Sequence, residues 1–377
     1  MQNKGHALTN IYLPGLNGIR AIAALAVVLT HITLALDQFG LNNSILGTGP
    51  EGKPRGLDLA DYGVTMFFTL SGFLITYLLL KEKEANQGKI KIKDFYIRRI
   101  LRIWPLYYAI LILSIATFIY FGLPYETTAI PFYIFLAANV PFILGNTLPL
   151  LAHYWSLGVE EQFYLLFPHL AKQSNKKLLN TAIIGIYLFI VLKFSFLMLE
   201  RKYGAHTPLL SVAVTRFHIM LIGAIGAILF YEKNTRFIEL STKKITQIIS
   251  WTIVFLLALN QFTFVSLLAG EIVAVITVFI IIGQITKTNH LINLENPVCD
   301  FIGKISYGIY VIHPILIFYA SKLLGTLNPE KMTSYALVYS MVITSTIVLA
   351  YLSYELYEKR FLKLKYKYST IRSINTR

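Results

Sequence analysis

The sequence is poor in cysteine and in charge. One cysteine, Cys299, occurs in 377 residues, which excludes an intramolecular disulfide framework. Only 14% of the residues are charged, whereas a soluble domain carries about 25%. Hydrophobic residues make up 55% of the chain, and long apolar stretches recur along its whole length. These proportions exclude an ordinary soluble domain and predict an all-α, polytopic transmembrane helical bundle.

Acidic residues are scarce as well, with 19 Asp and Glu against 34 Lys and Arg and a net charge of +15. The basic residues concentrate in three segments, 81–102, 232–244 and 358–377. Short basic loops between apolar helices are typical of the cytoplasmic side of a membrane protein. We therefore expect anionic membrane lipids and anionic small molecules as partners, and no nucleic acid.

The chain also lacks a removable signal peptide and any long polar stretch between its apolar segments. We predict a single domain over residues 1–377, with no appended soluble domain. A membrane helix needs about 20 mostly apolar residues. The segments that qualify are 17–36, 60–80, 103–122, 130–146, 153–170, 179–198, 209–231, 245–261, 263–285, 301–324 and 334–357.

The charged residues of the loops indicate which side of the membrane each loop faces. The acidic 37–59 loop indicates the outside, and the basic 81–102 and 232–244 loops indicate the inside. These assignments agree only if 130–170 crosses once, so we predict about ten net crossings, with part of 130–170 re-entrant or broken. The part that fits a membrane span least well is 153–170, because it carries two carboxylates. The alternative is that a charge-poor loop is assigned to the wrong side. Both termini are then expected on the cytoplasmic side of the inner membrane.

The first apolar segment carries Arg20 and His31. Their spacing corresponds to a rise of about 16 Å along a helix and places both close to one face. Arg20 could be a snorkelling anchor, and His31 could simply bond a neighbouring helix. However, intramembrane ionisable groups usually face a cavity, and imidazole is the side chain best suited to proton transfer near neutral pH.

Two further stretches concentrate polar groups. In "FYIRRILRIWPLYY", Arg98, Arg99 and Arg102 are either a positive-inside anchor or an anion clamp, because guanidinium groups bind phosphate. In "HYWSLGVEEQFY", the adjacent carboxylates of Glu160 and Glu161 are costly at membrane depth unless they are paired or lie in a polar cavity. A surface loop is the alternative for that second stretch.

Other polar or small residues within the apolar segments give weaker evidence of a functional site. Small residues at Ser71-Gly72 favour close helix packing over a binding role. The intramembrane histidines His31, His218 and His313 lack the spacing of a metal site, so no metal is expected. Phosphate-binding loops, dinucleotide fingerprints and nucleophile elbows do not occur in the sequence.

Seven blocks in order along the chain together resemble the acyltransferase-3 family of integral-membrane acyltransferases. They are "YLPGLNGIRAIAALAVVLTHI", "MFFTLSGFLITYLL", "FYIRRILRIWPLYY", "HYWSLGVEEQFYLLFP", "TRFHIMLIGAIGA", "GKISYGIYVIHPILI" and "YELYEKRFLKL". The resemblance covers nearly the whole chain. It implies an enzyme that moves an acyl group, expected to be acetyl from acetyl-CoA, to a hydroxyl of a bacterial surface carbohydrate such as a polysaccharide or O-antigen.

The resemblance also implies roles for residues. Arg20 and His31 match the family's arginine and histidine separated by ten residues, and the histidine is the expected catalytic group. Arg99 and Arg102 match its paired arginines near the acyl donor, and Glu358 matches a late glutamate. Trp155, Ser156, Leu157, Glu160 and Tyr164 match its tryptophan-serine-leucine block. Arg360 and His218 depart from the family's usual proline and acidic residue.

We combine these observations in one mechanism. Arg20, Arg98, Arg99 and Arg102 are expected to bind acyl-CoA, and His31 is expected to act as general base or as acyl carrier. Glu160 or Glu161 is expected to orient the imidazole. The residues expected to bind substrate are Ser71, Trp155, Ser156, Tyr164, Arg216, Tyr307 and His313.

The alternatives are a transporter for an acyl group or proton, and an acyltransferase that acts on a small-molecule or lipid-linked acceptor. Intramembrane histidine, arginine and glutamate would serve a transporter equally well, but no inverted repeat is visible in the sequence. The sequence is compatible with a homo-oligomer.

Overall fold

The computed structural model describes residues 9–44, 47–48, 54, 58–259 and 267–374. Within these residues the protein is helical apart from one two-stranded sheet, which confirms the all-α prediction. The α-helices, in chain order, are α1 Leu16–Leu34, α2 Asp58–Ala85, α3 Ile92–Tyr120, α4 Ile130–Ile134, α5 Asn139–Ile143, α6 Tyr154–Leu170, α7 Asn175–Tyr203, α8 His206–Thr215, α9 Phe217–Tyr231, α10 Thr235–Thr242, α11 Lys244–Ala258, α12 Ala269–Thr286, α13 Pro297–Leu324, α14 Met332–Ser353 and α15 Lys359–Lys365.

Eight helical stretches in the described part of the chain are long and apolar enough to cross a membrane. They contain α1, α2, α3, α7, the α8–α9 pair, α12, α13, and α14 with its continuation to Tyr368. The helix α11 is apolar but has only 15 residues, and α6 has 17. The molecule is therefore a multi-pass membrane protein, and the side of the membrane on which each loop lies stays a prediction.

Within 130–170 the structure differs from the sequence prediction at one of the two expected spans. The expected helix over 130–146 is wrong, because the structure has two five-residue helices there, α4 and α5, separated at Leu136 with a positive φ of 58°. Helix α6 follows as one continuous helix. The segment therefore combines a broken part with a single helix, as an irregular 130–170 requires. The break lies in 130–146, however, and not in 153–170, the part expected to fit a membrane span least well.

A second break lies inside the predicted span 209–231. Arg216 has a left-handed backbone, with φ 44°, between α8 and α9. The predicted span 263–285 begins within residues 260–266, which lie outside the described residues, and α12 accounts for the rest. The predicted span 245–261 coincides with α11 up to Ala258, and its last two residues lie outside the described residues. The remaining predicted spans fall on helices of the structure.

Two close helix contacts hold the centre of the bundle. A Cβ atom added at Gly72 of α2 would lie 2.0 Å from the Met220 carbonyl oxygen of α9. A Cβ atom at Gly303 of α13 would lie 2.1 Å from the Asn17 carbonyl oxygen of α1. Backbones approach this closely only where a side chain is absent. The contacts fix α2 against α9 and α1 against α13, and these helices carry many of the polar groups described below.

The two ends of the chain meet. Strand β1, Thr9–Tyr12, pairs in parallel with strand β2, Ile371–Ile374. Between α14 and α15 the helix continues through a π-helical turn, Tyr354–Glu358, and a short 3₁₀ turn follows α15. The strand pairing places the beginning and the end of the described chain at the same end of the bundle.

Candidate active site

Two connected cavities enter the bundle from the end at which the strands pair. The vestibule, with an empty volume of about 1280 Å³, reaches Ile371 of β2, and the deep cavity, with about 750 Å³, lies further inside. Polar residues lining the vestibule include Glu82, Arg98, Lys304, Glu358, Lys365 and Ser369. Polar residues lining the deep cavity are Ser71, Ser156, Glu160, Tyr164, Ser306, Tyr307 and Tyr310, besides the arginines that both cavities share.

The two cavities meet at three arginines, which we call the arginine junction: Arg20, Arg99 and Arg102. All three are half-buried, and in the described part of the chain none of them forms a salt bridge. The Arg99 guanidinium lies 5.1 Å from the Tyr164 ring centre, and its buried Nε atom has no hydrogen-bond partner among the described residues. The junction is therefore a concentration of positive charge in which no guanidinium forms an ion pair with a described carboxylate, although the Glu160 side chain lines the same deep cavity.

Arg98 differs from its neighbour Arg99. Its Nη2 atom lies 2.6 Å from Glu82 Oε2, and its Nη1 atom donates a hydrogen bond of 2.7 Å to the Tyr368 carbonyl. Arg98 therefore lines the vestibule while its guanidinium ties α3 to α2 and to the segment before β2. The structure thus brings Arg20, Arg99 and Arg102 together without an ion pair among the described residues, and it engages Arg98, the fourth predicted arginine, within the protein. Arg20 donates a hydrogen bond of 3.3 Å to Asn17 Oδ1.

The polar wall of the deep cavity is built from four helices. Ser71 of α2 donates to Glu160 of α6 across 2.5 Å. Ser156 of α6 lies 2.5 Å from the hydroxyl of Tyr310 of α13. Tyr307, also of α13, donates to the Ile103 carbonyl of α3 across 2.7 Å. Ser71 and Gly72 therefore do different things, because Gly72 permits helix contact while Ser71 faces the cavity.

The two adjacent carboxylates separate. Glu160 lines the deep cavity, whereas Glu161 Oε2 accepts a hydrogen bond of 3.1 Å from the Trp104 indole. The other oxygen of Glu161 is buried without a partner among the described residues. Neither carboxylate forms a hydrogen bond with His31 in the described chain, so the structure shows no direct contact through which one of them would orient this imidazole, and the expected role stays a prediction.

Three histidines form a cluster beyond the end of the deep cavity: His31 of α1, His153 before α6 and His313 of α13. His31 Nδ1 lies 2.6 Å from His313 Nε2, and their rings stack with centroids 4.9 Å apart. His153 lies edge-on to His31 at 6.4 Å. His31 is half-buried, while the other two are buried.

Tyr310 separates the deep cavity from the histidine cluster. Its hydroxyl contacts Ser156 and donates to the His153 carbonyl across 2.9 Å, and its ring lies 6.1 Å from the His313 ring. His31 itself is not among the residues that line either cavity. His153, to which no role was assigned from the sequence, belongs to this cluster, and its position directly before the tryptophan-serine-leucine block was the available signal.

Three predicted substrate-binding residues, Trp155, Arg216 and His313, lie outside both cavities. Arg216 pairs with Asp61 and donates to the Thr65 hydroxyl across 3.3 Å, and its guanidinium lies 5.5 Å from the Trp155 ring centre. Trp155 in turn packs edge-on against Phe68, which lines the deep cavity. Arg216 and Trp155 therefore support the cavity wall from behind.

A second buried polar cluster lies elsewhere, in α7, α9 and α12. Glu271 Oε1 lies 2.8 Å from Lys193 Nζ and 3.0 Å from His218 Nε2. Lys193 also donates to the Leu267 carbonyl across 2.8 Å. We call these residues the lysine–glutamate cluster. Its opposite charges contact each other directly, and neither cavity includes its members.

Within the described ranges, no group of three or more His, Cys, Asp or Glu side chains is arranged to hold a metal ion. The site is thus a membrane-embedded polar tunnel with cationic groups at its middle and imidazoles at its end. This combination places the protein among integral-membrane proteins that enclose a cationic, polar cavity within a helical bundle.

The chain belongs to the acyltransferase-3 family, because the family model described as an acyltransferase domain matches residues 13–355. A Staphylococcus aureus (strain COL) protein provisionally named an O-acetyltransferase is 28% identical over 97% of this chain and 59% of its own length. The O-acetyltransferase OatA of S. aureus (strain NCTC 8325 / PS 47) is 27% identical over 94% of this chain and 58% of its own length.

The peptidoglycan O-acetyltransferase OatA of Listeria monocytogenes serovar 1/2a is 32% identical over 47% of this chain and 28% of its own length. The chain thus spans about three fifths of the length of the first two relatives. No solved structure matches the chain significantly.

Proposed function

We propose that the protein is a membrane O-acyltransferase that moves an acyl group, acetyl in the simplest case, from cytosolic acyl-CoA to a hydroxyl of a cell-wall carbohydrate. The observation that carries this proposal is the arginine junction. Its three guanidinium groups meet without a carboxylate partner, between a vestibule and a cavity that ends beside the histidine cluster.

The order of the two cavities matches the order of the chemical groups in the proposed donor, acyl-CoA. Phosphates of a coenzyme A nucleotide would bind Arg20, Arg99 and Arg102, because guanidinium groups form charge-assisted hydrogen bonds with phosphate. Lys365 and Lys304 add positive charge in the vestibule. The narrower deep cavity, which has apolar as well as polar walls, would hold the extended thioester arm and direct it toward Tyr310.

His31 is the proposed catalytic group. As a general base it takes the proton of the acceptor hydroxyl while the hydroxyl oxygen bonds to the acyl carbon. The carbon–sulfur bond of the thioester then breaks, and the leaving thiolate receives the proton from the imidazolium. In the two-step alternative the imidazole carries the acyl group before the acceptor arrives.

The acceptor would approach from the side opposite the vestibule, because the half-buried His31 lies beyond the far end of the deep cavity. The name of the L. monocytogenes relative specifies peptidoglycan as the acceptor, and that of the S. aureus OatA specifies O-acetyl transfer, which together support an acetylated wall carbohydrate. The basic loops support a vestibule on the cytoplasmic side, where acyl-CoA is available.

The test uses the purified full chain in liposomes with acetyl-CoA labelled in its acetyl group. We expect release of free coenzyme A thiol and transfer of label to a soluble peptidoglycan fragment or other wall glycan. A transporter would move the label across the bilayer without releasing thiol, and that result would overturn the proposal. Label on a lipid-linked or small acceptor alone would replace the carbohydrate by that acceptor.

A further inference from the structure

Helices α1 and α13 bring His31 and His313 together although 282 positions separate them in the chain. The close approach of Gly303 to the Asn17 carbonyl holds the two helices in contact. His313 is fully buried, directly before Pro314. Because proline has no amide hydrogen, Pro314 cannot complete the helical bond to the Tyr310 carbonyl, and the helix is loosened at this turn.

The contacts of His313 determine where its proton lies. Its Nδ1 atom is 3.1 Å from the Ile309 carbonyl oxygen, which can only accept a hydrogen bond. Nδ1 of His313 therefore carries the hydrogen. In a neutral imidazole the other nitrogen is then an acceptor, so the short contact to His31 requires that His31 Nδ1 donates.

We propose that His313 is a positioning residue, which holds His31 in the tautomer with its proton on Nδ1 and its free lone pair on Nε2. The inference rests on the proposed function, since the free Nε2 is then the atom that takes the acceptor's proton. This role replaces both the substrate-binding role expected for His313 and the orienting role expected for the two glutamates.

The neutral state of His313 follows from its surroundings. The groups that face it are His31 from α1, His153 before α6, and Tyr310 of its own helix. In the described part of the chain His313 forms no ion pair with a carboxylate. An imidazolium here would be a buried charge without compensation, which is costly. A doubly protonated His313, which would reverse the direction of the bond, is therefore disfavoured.

The same contact assists the proton transfer. When His31 gains a proton on Nε2, its Nδ1 still donates to His313, and the hydrogen bond becomes charge-assisted and stronger. Stacking at an interplanar angle of 21° and the edge-on ring of His153 restrict rotation of the His31 ring. His313 thus contributes through orientation and through stabilisation of the charged intermediate, without contact with the acyl group.

The first experiment reads the tautomer without using activity. The full chain is labelled with ¹⁵N-histidine, reconstituted in bilayers and examined by solid-state NMR, and the His31 signals are identified by their loss in His31→Gln. We expect a protonated Nδ1 and an unprotonated Nε2 in His31. A proton on Nε2 of His31 would overturn the inference, whether or not the protein transfers acyl groups.

The second experiment separates positioning from a purely structural role. In His313→Gln the amide oxygen can occupy the place of Nε2 and accept from His31, whereas the shorter His313→Asn side chain reaches only the place of Nδ1. We expect His313→Gln to keep kcat within about tenfold and His313→Asn to lose about 100-fold, with KM for acetyl-CoA unchanged in both.

The exposed His169→Gln provides the matched control, since His169 lies outside both cavities. It should leave kcat and the unfolding temperature unchanged. Equal kcat values in His313→Gln and His313→Asn, or a change in KM alone, would contradict the proposed role. If a variant fails to fold, the NMR measurement on the unsubstituted chain still tests whether Nδ1 of His31 carries the proton.

Discussion

The protein buries two charged clusters that differ in how their charges are balanced. In the lysine–glutamate cluster, Glu271 contacts both Lys193 and His218, and neither the vestibule nor the deep cavity includes them. At the arginine junction three cations face open space with no carboxylate paired to any of them in the described chain. Buried charge is costly unless it is paired.

The difference separates stability from ligand binding. A cluster whose charges cancel internally holds α7, a helix that otherwise buries little of its surface, against α9 and α12. A cluster whose charges remain uncompensated beside a cavity is suited to an anionic ligand that supplies the missing charge. Variants in the first cluster should therefore affect folding, and variants in the second cluster and the adjoining histidines should affect activity.

The largest effect is expected at His31. His31→Gln should lower kcat for acyl transfer by about 10²–10⁴-fold, because the proton acceptor is lost. Steady-state release of coenzyme A thiol from acetyl-CoA measures this loss. His218→Gln, a histidine of the lysine–glutamate cluster, is the comparison, and it should keep kcat in those molecules that remain folded. Full activity of His31→Gln would contradict the assignment of the catalytic group.

Breaking the lysine–glutamate cluster should mainly affect stability. Lys193→Ala leaves Glu271 with His218 as its remaining partner, and we expect a loss of about 3–5 kcal/mol in the free energy of unfolding. Thermal unfolding in detergent gives the change, and kcat is measured below the transition. The double variant Lys193→Met/Glu271→Leu should recover most of the stability, because it removes both charges. A lowered kcat in folded Lys193→Ala would contradict the separation of roles.

At the arginine junction we expect an effect on donor affinity. Arg99→Gln should raise KM for acetyl-CoA by about 10–100-fold, as expected when a charge-assisted hydrogen bond worth about 1.5–3 kcal/mol is lost. The matched control is Arg98→Gln, in which an arginine already paired with Glu82 is removed, and its KM should change less. Equal changes in KM in the two variants would indicate that the donor responds to the overall positive charge and not to the arginine junction in particular.

The smallest effect is expected at Ser71. Ser71→Ala removes the donor to Glu160 and should lower the free energy of unfolding by about 1–3 kcal/mol. Ser114→Ala is the control, because the buried Ser114 hydroxyl has no hydrogen-bond partner among the described residues. Its removal should be neutral or slightly stabilising. Thermal unfolding of the two variants side by side measures the difference, and equal losses would contradict the Ser71–Glu160 bond.

Some features of the site were predictable from the sequence. Arg99 and Arg102 are three positions apart, so a helix must place them on one face, and both do line the junction. Charge topology also favoured a broken or re-entrant part within 130–170, and α4 and α5 are short. These predictions succeed because they depend on helical spacing and on the avoidance of charge in lipid, which are local properties.

Other features were beyond the reach of sequence patterns. Nothing in the neighbourhood of Arg98 distinguishes it from Arg99, yet Glu82 pairs with the first and leaves the second free. Adjacent Glu160 and Glu161 point to Ser71 and Trp104 respectively, because neighbouring residues on a helix face different directions. Which neighbour each side chain meets depends on helices that are distant in the chain.

The sequence alone determined that the chain forms apolar helices, that they lie in a membrane, and that few but costly polar groups interrupt them. These properties follow from the high share of hydrophobic residues and from the length of a membrane-spanning helix, which is about 20 residues. The tertiary structure decided which polar groups meet. His31 bonds to His313 across 282 positions because a glycine lets α13 approach α1, and packing of this kind depends on the whole set of helices.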